Sequence, residues 1–232
     1  MPVVGVDPLV PAMGEPAPYF YGESTQGPVR LGDFSGRWLV LFSYPGDFTP
    51  VCGSELVAFA RRQSEFEELG CRVLALSPDG LRSHAEWLER LKAESGVEIR
   101  FPVIADVSGG IARRYGMART GTPGAGLGRS LYVIDPRGFV QAAMHYPCGS
   151  GRSVDEVLRL LHSLAVTVDS DMVTPEGWRP GQAMLSVPDR RESGRKAGEP
   201  EVGCVDWYDY RAAPHALAAT VPGDRAGATV FG

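Results

Sequence analysis

The chain has no apolar run long enough to cross a bilayer. The longest, such as Trp38–Phe42, are far short of the roughly 20 residues a spanning helix needs. It has no excess of positive charge: 23 Lys and Arg stand against 28 Asp and Glu, a net charge of −5. That balance argues against a nucleic-acid binder, which needs a basic face, and gives no attraction to an anionic membrane surface. The N-terminal stretch lacks a basic region followed by an apolar one, so a signal peptide is not expected and the expected compartment is the cytoplasm. Cysteine is scarce: Cys52, Cys71, Cys148 and Cys204, expected as thiols in such a compartment rather than as a disulfide framework. There is no C-x-x-C pair, since Cys52 is followed by Gly53, Ser54 and Glu55, which disfavours a disulfide oxidoreductase. Nor is there a G-x-S-x-G elbow for a serine hydrolase; in Gly32–Gly36 the serine stands fourth. His84 and His145 have no Cys or second His at metal-ligand spacing, so both read as structural and no metal or cofactor is expected.

What remains is an ordinary globular composition of 44% hydrophobic and 22% charged residues over 232 positions, enough for a real core. The patterning alternates. Arg37–Tyr44 and Cys71–Leu76 are apolar runs of strand length. Between them, Leu56, Phe59, Ala60, Phe66 and Leu69 make one face of a helix over Glu55–Leu69. Asp79 is placed to cap a helix running to Glu94, with Leu81, Leu88 and Leu91 inward. Phe101–Ala105 reads as a short strand and Val107–Tyr115 as a short helix. Arg129–Asp135 and Phe139–Tyr146 read as a hairpin about Pro136–Gly138. Ser153 and Glu156 form a capping box opening a last helix. Strands alternating with helices and closing on a hairpin predict an α/β fold: a mixed central sheet with helices on both faces, over residues 1–165. Residues 166–232, rich in Pro and Gly and poor in periodicity, read as an extended C-terminal arm that needs a surface to lie on, with a tail from about 214.

One cysteine has a chemically suggestive position. Thr49 suits an N-cap and Pro50 the first helical position, which puts Cys52 inside the first turn. Unpaired amides and the positive end of the helix dipole meet there, and both favour the thiolate, the nucleophilic form of cysteine. The same spacing also suits a small buried cysteine with no chemistry.

Pro45-x-x-x-Thr49-x-x-Cys52 resembles the active-site motif of the peroxiredoxins. Further segments in the same order are similar to that family: FPVIAD (101–106), YGM (115–117), Arg129 before a strand ending in IDP (134–136), GR (151–152) and TPEGWRPG (174–181). The last two resemble the one-cysteine (peroxiredoxin 6-type) subfamily with its long arm; Tyr44, where many of those proteins carry histidine, departs from it. The resemblance implies a thioredoxin-like fold and a thiol-dependent peroxidase that reduces hydrogen peroxide and organic hydroperoxides through a sulfenic acid. It implies Cys52 as nucleophile, Thr49 hydrogen-bonding the peroxide, Pro45 shielding the sulfur, Arg129 supplying fixed positive charge, Glu55 orienting that arginine and Arg152 adding a second charge. Cys204 and Cys148 stand as candidate resolving thiols beside an external thiol or thioredoxin-type reductant. A homodimer or larger ring is the implied assembly. The alternatives are an enzyme of the same descent acting on a dedicated metabolite thiol, and a redox sensor or holdase using Cys52 as a switch.

Overall fold

The computed structural model describes residues 10–118 and 126–186. They form two compact units, described separately: residues 10–154, and residues 155–186.

The first unit is built on a mixed sheet. Its strands are β1 (Tyr21–Ser24), β2 (Gly27–Arg30), β3 (Trp38–Ser43), β4 (Cys71–Ser77), β5 (Val103–Ala105), β6 (Arg129–Ile134) and β7 (Val140–Tyr146). The seven lie in the order β2-β1-β5-β4-β3-β6-β7. The centre is parallel, β3 with β4 and β4 with β5, and the flanks are antiparallel. Parallel neighbours require crossovers. The first is α1 (Pro50–Arg61) and α2 (Gln63–Glu68), the second α3 (Leu81–Ser95). A further short helix, α4 (Gly110–Arg114), follows β5.

All six residues of β3 are buried, as expected of a central strand covered on both faces. Alternate side chains serve opposite layers. Leu39 and Leu41 join Leu74, Leu76, Tyr132 and Ile134 of neighbouring strands, and Ile111, Ala112 and Tyr115 from α4 and its end. On the other face Phe42 stacks on Phe59 of α1 at 4.5 Å and meets Phe101 edge-on at 6.1 Å.

The strands expected from sequence are present to within a residue or two, but three helical readings need correction. The helix expected over Glu55–Leu69 begins five residues earlier and breaks at Arg62, giving α1 and α2. The short helix expected from Val107 starts at Gly110, because Asp106 turns back to accept the amides of Ile111 and Ala112 at 3.2 and 2.8 Å. Asp79 does not cap α3. Gly80 holds that position, and the Asp79 carboxylate accepts the Asp47 amide at 2.7 Å instead. The inner face of α3 is His84, Trp87 and Leu91, with Leu81 exposed. The hairpin β1–β2 had no signal in the patterning: each strand is four residues long and half exposed.

The second unit holds most of α5 (Val154–Thr167) and the two-residue strands β8 (Met172–Val173) and β9 (Leu185–Ser186), paired antiparallel. Ser163 and Thr174 join their hydroxyls at 2.6 Å, and Trp178 Nε1 donates to the Gln182 carbonyl at 3.1 Å. Among the described residues no helix is long and apolar enough to cross a membrane.

Candidate active site

The loop from Tyr44 to Thr49 carries the chain from β3 into α1. Thr49 is in the extended conformation of an N-cap and Pro50 is the first helical residue. Its hydroxyl does not cap the helix but donates to the Gly46 carbonyl at 3.1 Å, tightening the loop. The Thr49 carbonyl accepts the Gly53 amide at 3.0 Å. In an α-helix that leaves the amides of Val51 and Cys52 without intrahelical acceptors. Cys52 sits on this turn and is fully buried.

Arg129 arrives from far along the chain. It is the first residue of β6, and the antiparallel register Phe42↔Leu131 sets the start of β6 beside the end of β3. Ser43 locks the junction, donating to the Gly128 carbonyl at 2.8 Å and accepting the Ser130 amide at 3.2 Å. The Arg129 Nη1 donates to Cys52 Sγ at 3.4 Å and to Glu55 Oε2 at 2.6 Å, while its Nε donates to the Cys148 carbonyl at 2.9 Å.

Glu55 lies three residues beyond Cys52, on the same side of α1. It is 2% exposed and binds a second arginine. Oε1 accepts the Arg152 backbone amide and Nε, both at 2.7 Å, and Oε2 accepts Arg152 Nη2 at 2.8 Å. Arg152 also donates to the Ser130 carbonyl at 2.9 Å and lies 4.8 Å over the Phe42 ring. Burial would push the Glu55 carboxyl up, but the hydrogen bonds and charge of Arg152, with the charge of Arg129, hold it below the usual carboxylate range. Burial likewise opposes the charge on Arg129, and its contacts with Cys52 and Glu55 outweigh it. The result is a buried, ionised cluster of two guanidiniums and one carboxylate against one sulfur.

The amino-acid sequence also matches known proteins. The family model described as the AhpC/TSA family matches residues 13–143. Peroxiredoxin 2 of Thermoplasma acidophilum is 39% identical over 198 residues, which cover 84% of this chain and 98% of the relative. A peroxiredoxin of Aquifex aeolicus is 37% identical over 211 residues, covering 86% and 95%. The chain belongs to the AhpC/TSA family, the peroxiredoxins. Solved peroxiredoxin structures share its thioredoxin-like fold. A cysteine-to-serine mutant of the peroxiredoxin 6 of Arenicola marina superposes with a TM-score of 0.72 at 34% identity, over 77% of this chain and 84% of that one. A yeast mitochondrial 1-Cys peroxiredoxin gives 0.70 at 33%, over 75% and 85%. This peroxiredoxin is accordingly a thiol-dependent peroxidase, an oxidoreductase.

Of the residues singled out by sequence, the peroxiredoxin structure brings Cys52, Glu55, Arg129 and Arg152 into one hydrogen-bonded group. Pro45 and Thr49 lie on the loop that leads into α1, both half-buried. Cys148 enters through its carbonyl; its half-exposed thiol faces the Leu127 carbonyl at 3.9 Å. Cys204 lies outside the described residues. Cys71 is buried on β4, which pushes its thiol well above the usual range. His145 sits on β7 with Nδ1 2.9 Å from Ser130 Oγ. Sequence reasoning missed the polar group beneath the active-site loop, formed by Tyr44, Asp47, Ser83 and His84. Asp47 stands inside the motif, but nothing local shows that Ser83 and His84 return to it from α3.

Proposed function

We propose that Cys52 is the peroxidatic nucleophile of this peroxidase, acting on hydrogen peroxide and organic hydroperoxides. The observation that carries the reading is the Arg129 guanidinium donating to Cys52 Sγ at 3.4 Å inside a buried, hydrogen-bonded cluster. Two guanidiniums face one carboxylate, so net positive charge stands beside the sulfur, where negative charge develops in the reaction, and charge is worth most where water is excluded. The Cys52 sulfur attacks the terminal peroxide oxygen, an S–O bond forms and the O–O bond breaks. The sulfur is oxidised to sulfenic acid, and the leaving oxygen takes a proton to become water or an alcohol. Thr49 is the peroxide's hydrogen-bond partner; because its own proton is given to Gly46, its oxygen lone pairs remain to accept from the peroxide. Arg129 holds the polarised bond, and among the described residues its Nη2 donates no hydrogen bond that would compete. Pro45 keeps water from the sulfur, Glu55 orients both arginines and Arg152 supplies the second charge.

A thiol must then reduce the sulfenic acid. An external thiol or a thioredoxin-type reductant fills that role, with Cys204 and Cys148 as candidate resolving residues within the assembly. One structural neighbour, the yeast mitochondrial 1-Cys peroxiredoxin, is resolved through glutathione/thioredoxin systems. The cytoplasm suits this cycle, because the three described cysteines are free thiols. The test is peroxide consumption in excess thiol, with intact-mass analysis after one equivalent of peroxide. Wild type turns over many equivalents, and Cys52→Ser turns over none, because a serine hydroxyl is not ionised near neutrality. A Cys52→Ser protein retaining most of its activity overturns the proposal. A gain of one oxygen marks the external route, and a disulfide lost only in Cys204→Ser or only in Cys148→Ser names the resolving residue.

A further inference from the structure

The active-site loop is fastened by two carboxylates, its own Asp47 and Asp79 from the turn before α3. Asp47 Oδ1 accepts the Tyr44 hydroxyl at 2.8 Å. Asp47 Oδ2 accepts the Ser83 hydroxyl at 2.6 Å and lies 2.9 Å from His84 Nδ1. The Asp47 amide donates to Asp79 Oδ2 at 2.7 Å, and Asp79 Oδ2 also accepts from Ser77 at 3.2 Å. The side chains of Asp47 and His84 are 1% and 0% exposed, so this pair at the centre of the group is closed to water. It ties together the end of β3, the first turn of α3 and, through His84 Nε2 at 3.3 Å from the Ile104 carbonyl, strand β5. Burial would push the Asp47 carboxyl up, but the hydrogen bonds from His84 and Ser83 hold it below the usual range, and it stays an acceptor. Burial, with the charge of Asp47, keeps the Tyr44 phenol protonated and a donor.

The residue next to this anchor is under strain. Phe48 has φ 55°, a left-handed conformation that a side chain disfavours. Such a conformation persists only where its surroundings over-determine it. Asp47 is fixed on one side by four partners, and the Phe48 ring on the other lies 4.9 Å from Trp87. Thr49, the N-cap of the turn bearing Cys52, follows directly. Cys52 itself, three residues further on, is fully buried.

We infer that Asp47 is a positioning residue for the peroxide step: held by Tyr44, Ser83 and His84, it sets the Phe48–Thr49 backbone, keeping Thr49 and the first turn of α1 in register with Arg129 and limiting how readily the loop opens over Cys52. The inference deepens the assignment of Cys52 and rests on it. Loss of the anchor has two consequences of opposite sign. Peroxide reacts more slowly, because it needs the loop and Arg129 in place together. A bulkier electrophile that needs only access, such as iodoacetamide, reacts faster.

The test measures loss of the free Cys52 thiol by peptide mass spectrometry, in parallel, with hydrogen peroxide and with iodoacetamide, on the full chain. In Asp47→Ala the ratio of the peroxide rate to the alkylation rate falls by about tenfold or more, as misplacing a site by about 1 Å readily does. Should Asp47→Ala fail to fold by circular dichroism, Ser83→Ala, which removes one bond to Oδ2 and little volume, shows a fall of about threefold on the same scale. A ratio unchanged within about twofold in a folded Asp47→Ala, or in Ser83→Ala where the former does not fold, overturns the inference, because a general loss of stability or of nucleophilicity moves both rates together. If wild-type Cys52 does not react with peroxide at all, the peroxidase assignment fails. The anchor is then judged on alkylation alone: faster labelling in the variant supports it and equal labelling overturns it.

Discussion

At the scale of single residues the site is a problem of buried charge. Glu55, Arg129 and Arg152 are each almost wholly enclosed, and breaking such a group by removing one partner strands the others. Arg129 is the member that touches the sulfur. Arg129→Gln is therefore expected to slow Cys52 oxidation by more than tenfold with the fold retained, the loss of about 2–4 kcal/mol of charge stabilisation at the reacting atoms. Stopped-flow oxidation of the variant checks this, and wild-type rates would remove Arg129 from the mechanism. Cys52, Thr49 and Pro50 were legible at this scale, because capping and the proline position are local rules. The partners of Asp47 were not, because Ser83 and His84 stand on a helix face whose polar residues look no different from solvated ones until the helix is docked.

Secondary-structure elements place these charges, and the carboxylates link them to pH. Glu55 fastens α1 to the start of β6 and to Arg152, and Asp47 fastens the preceding loop to α3. Both carboxyls titrate lower in the folded protein than the ordinary value of about 4. A group with a depressed folded pKa contributes stability above its unfolded pKa and loses it as pH falls through the folded one. Urea midpoints are thus expected to be flat near neutrality and to fall progressively below about pH 4. Glu55→Gln should be much less stable than wild type at pH 7, and the gap should narrow in acid as the wild-type carboxylate is protonated. Unfolding curves across pH check the sign; a gap that widens in acid would refute it. The interruption at Arg62 was illegible for a related reason. The apolar period runs through both α1 and α2, and only the local backbone, with its hydrogen bonds closing on Phe59 and Ala60, separates them.

For the whole molecule, the two edges of the sheet differ. β2 is short and carries Pro28 and Arg30, features that blunt an edge against pairing. β7 has seven residues, no proline and no lysine or arginine; Gly14 and Glu15 bond the Val140 backbone at its start, at 2.7 and 2.9 Å, and among the described residues no further strand of the sheet lies beyond it. We expect at least a homodimer built on this edge. Light scattering at micromolar concentration measures it, and a monomer there would contradict the expectation.

The amino-acid sequence alone determined the alternation of strands and helices, the central strand β3, the hairpin β6–β7 and the position of Cys52 in the first turn of a helix. Each follows from periodicity, capping or turn chemistry over a dozen residues or fewer. Only the tertiary structure decided what stands against that cysteine. Arg129 is 77 residues away along the chain and reaches the sulfur because β6 pairs antiparallel with β3 in one register, and Arg152 reaches Glu55 across 97 residues. The same holds beneath the loop, where Asp47 meets Ser83 and His84 only after β4 has paired with β3 and α3 has packed back on the sheet. Local rules settle where a reactive group begins its helix; long-range pairing settles which charges it meets.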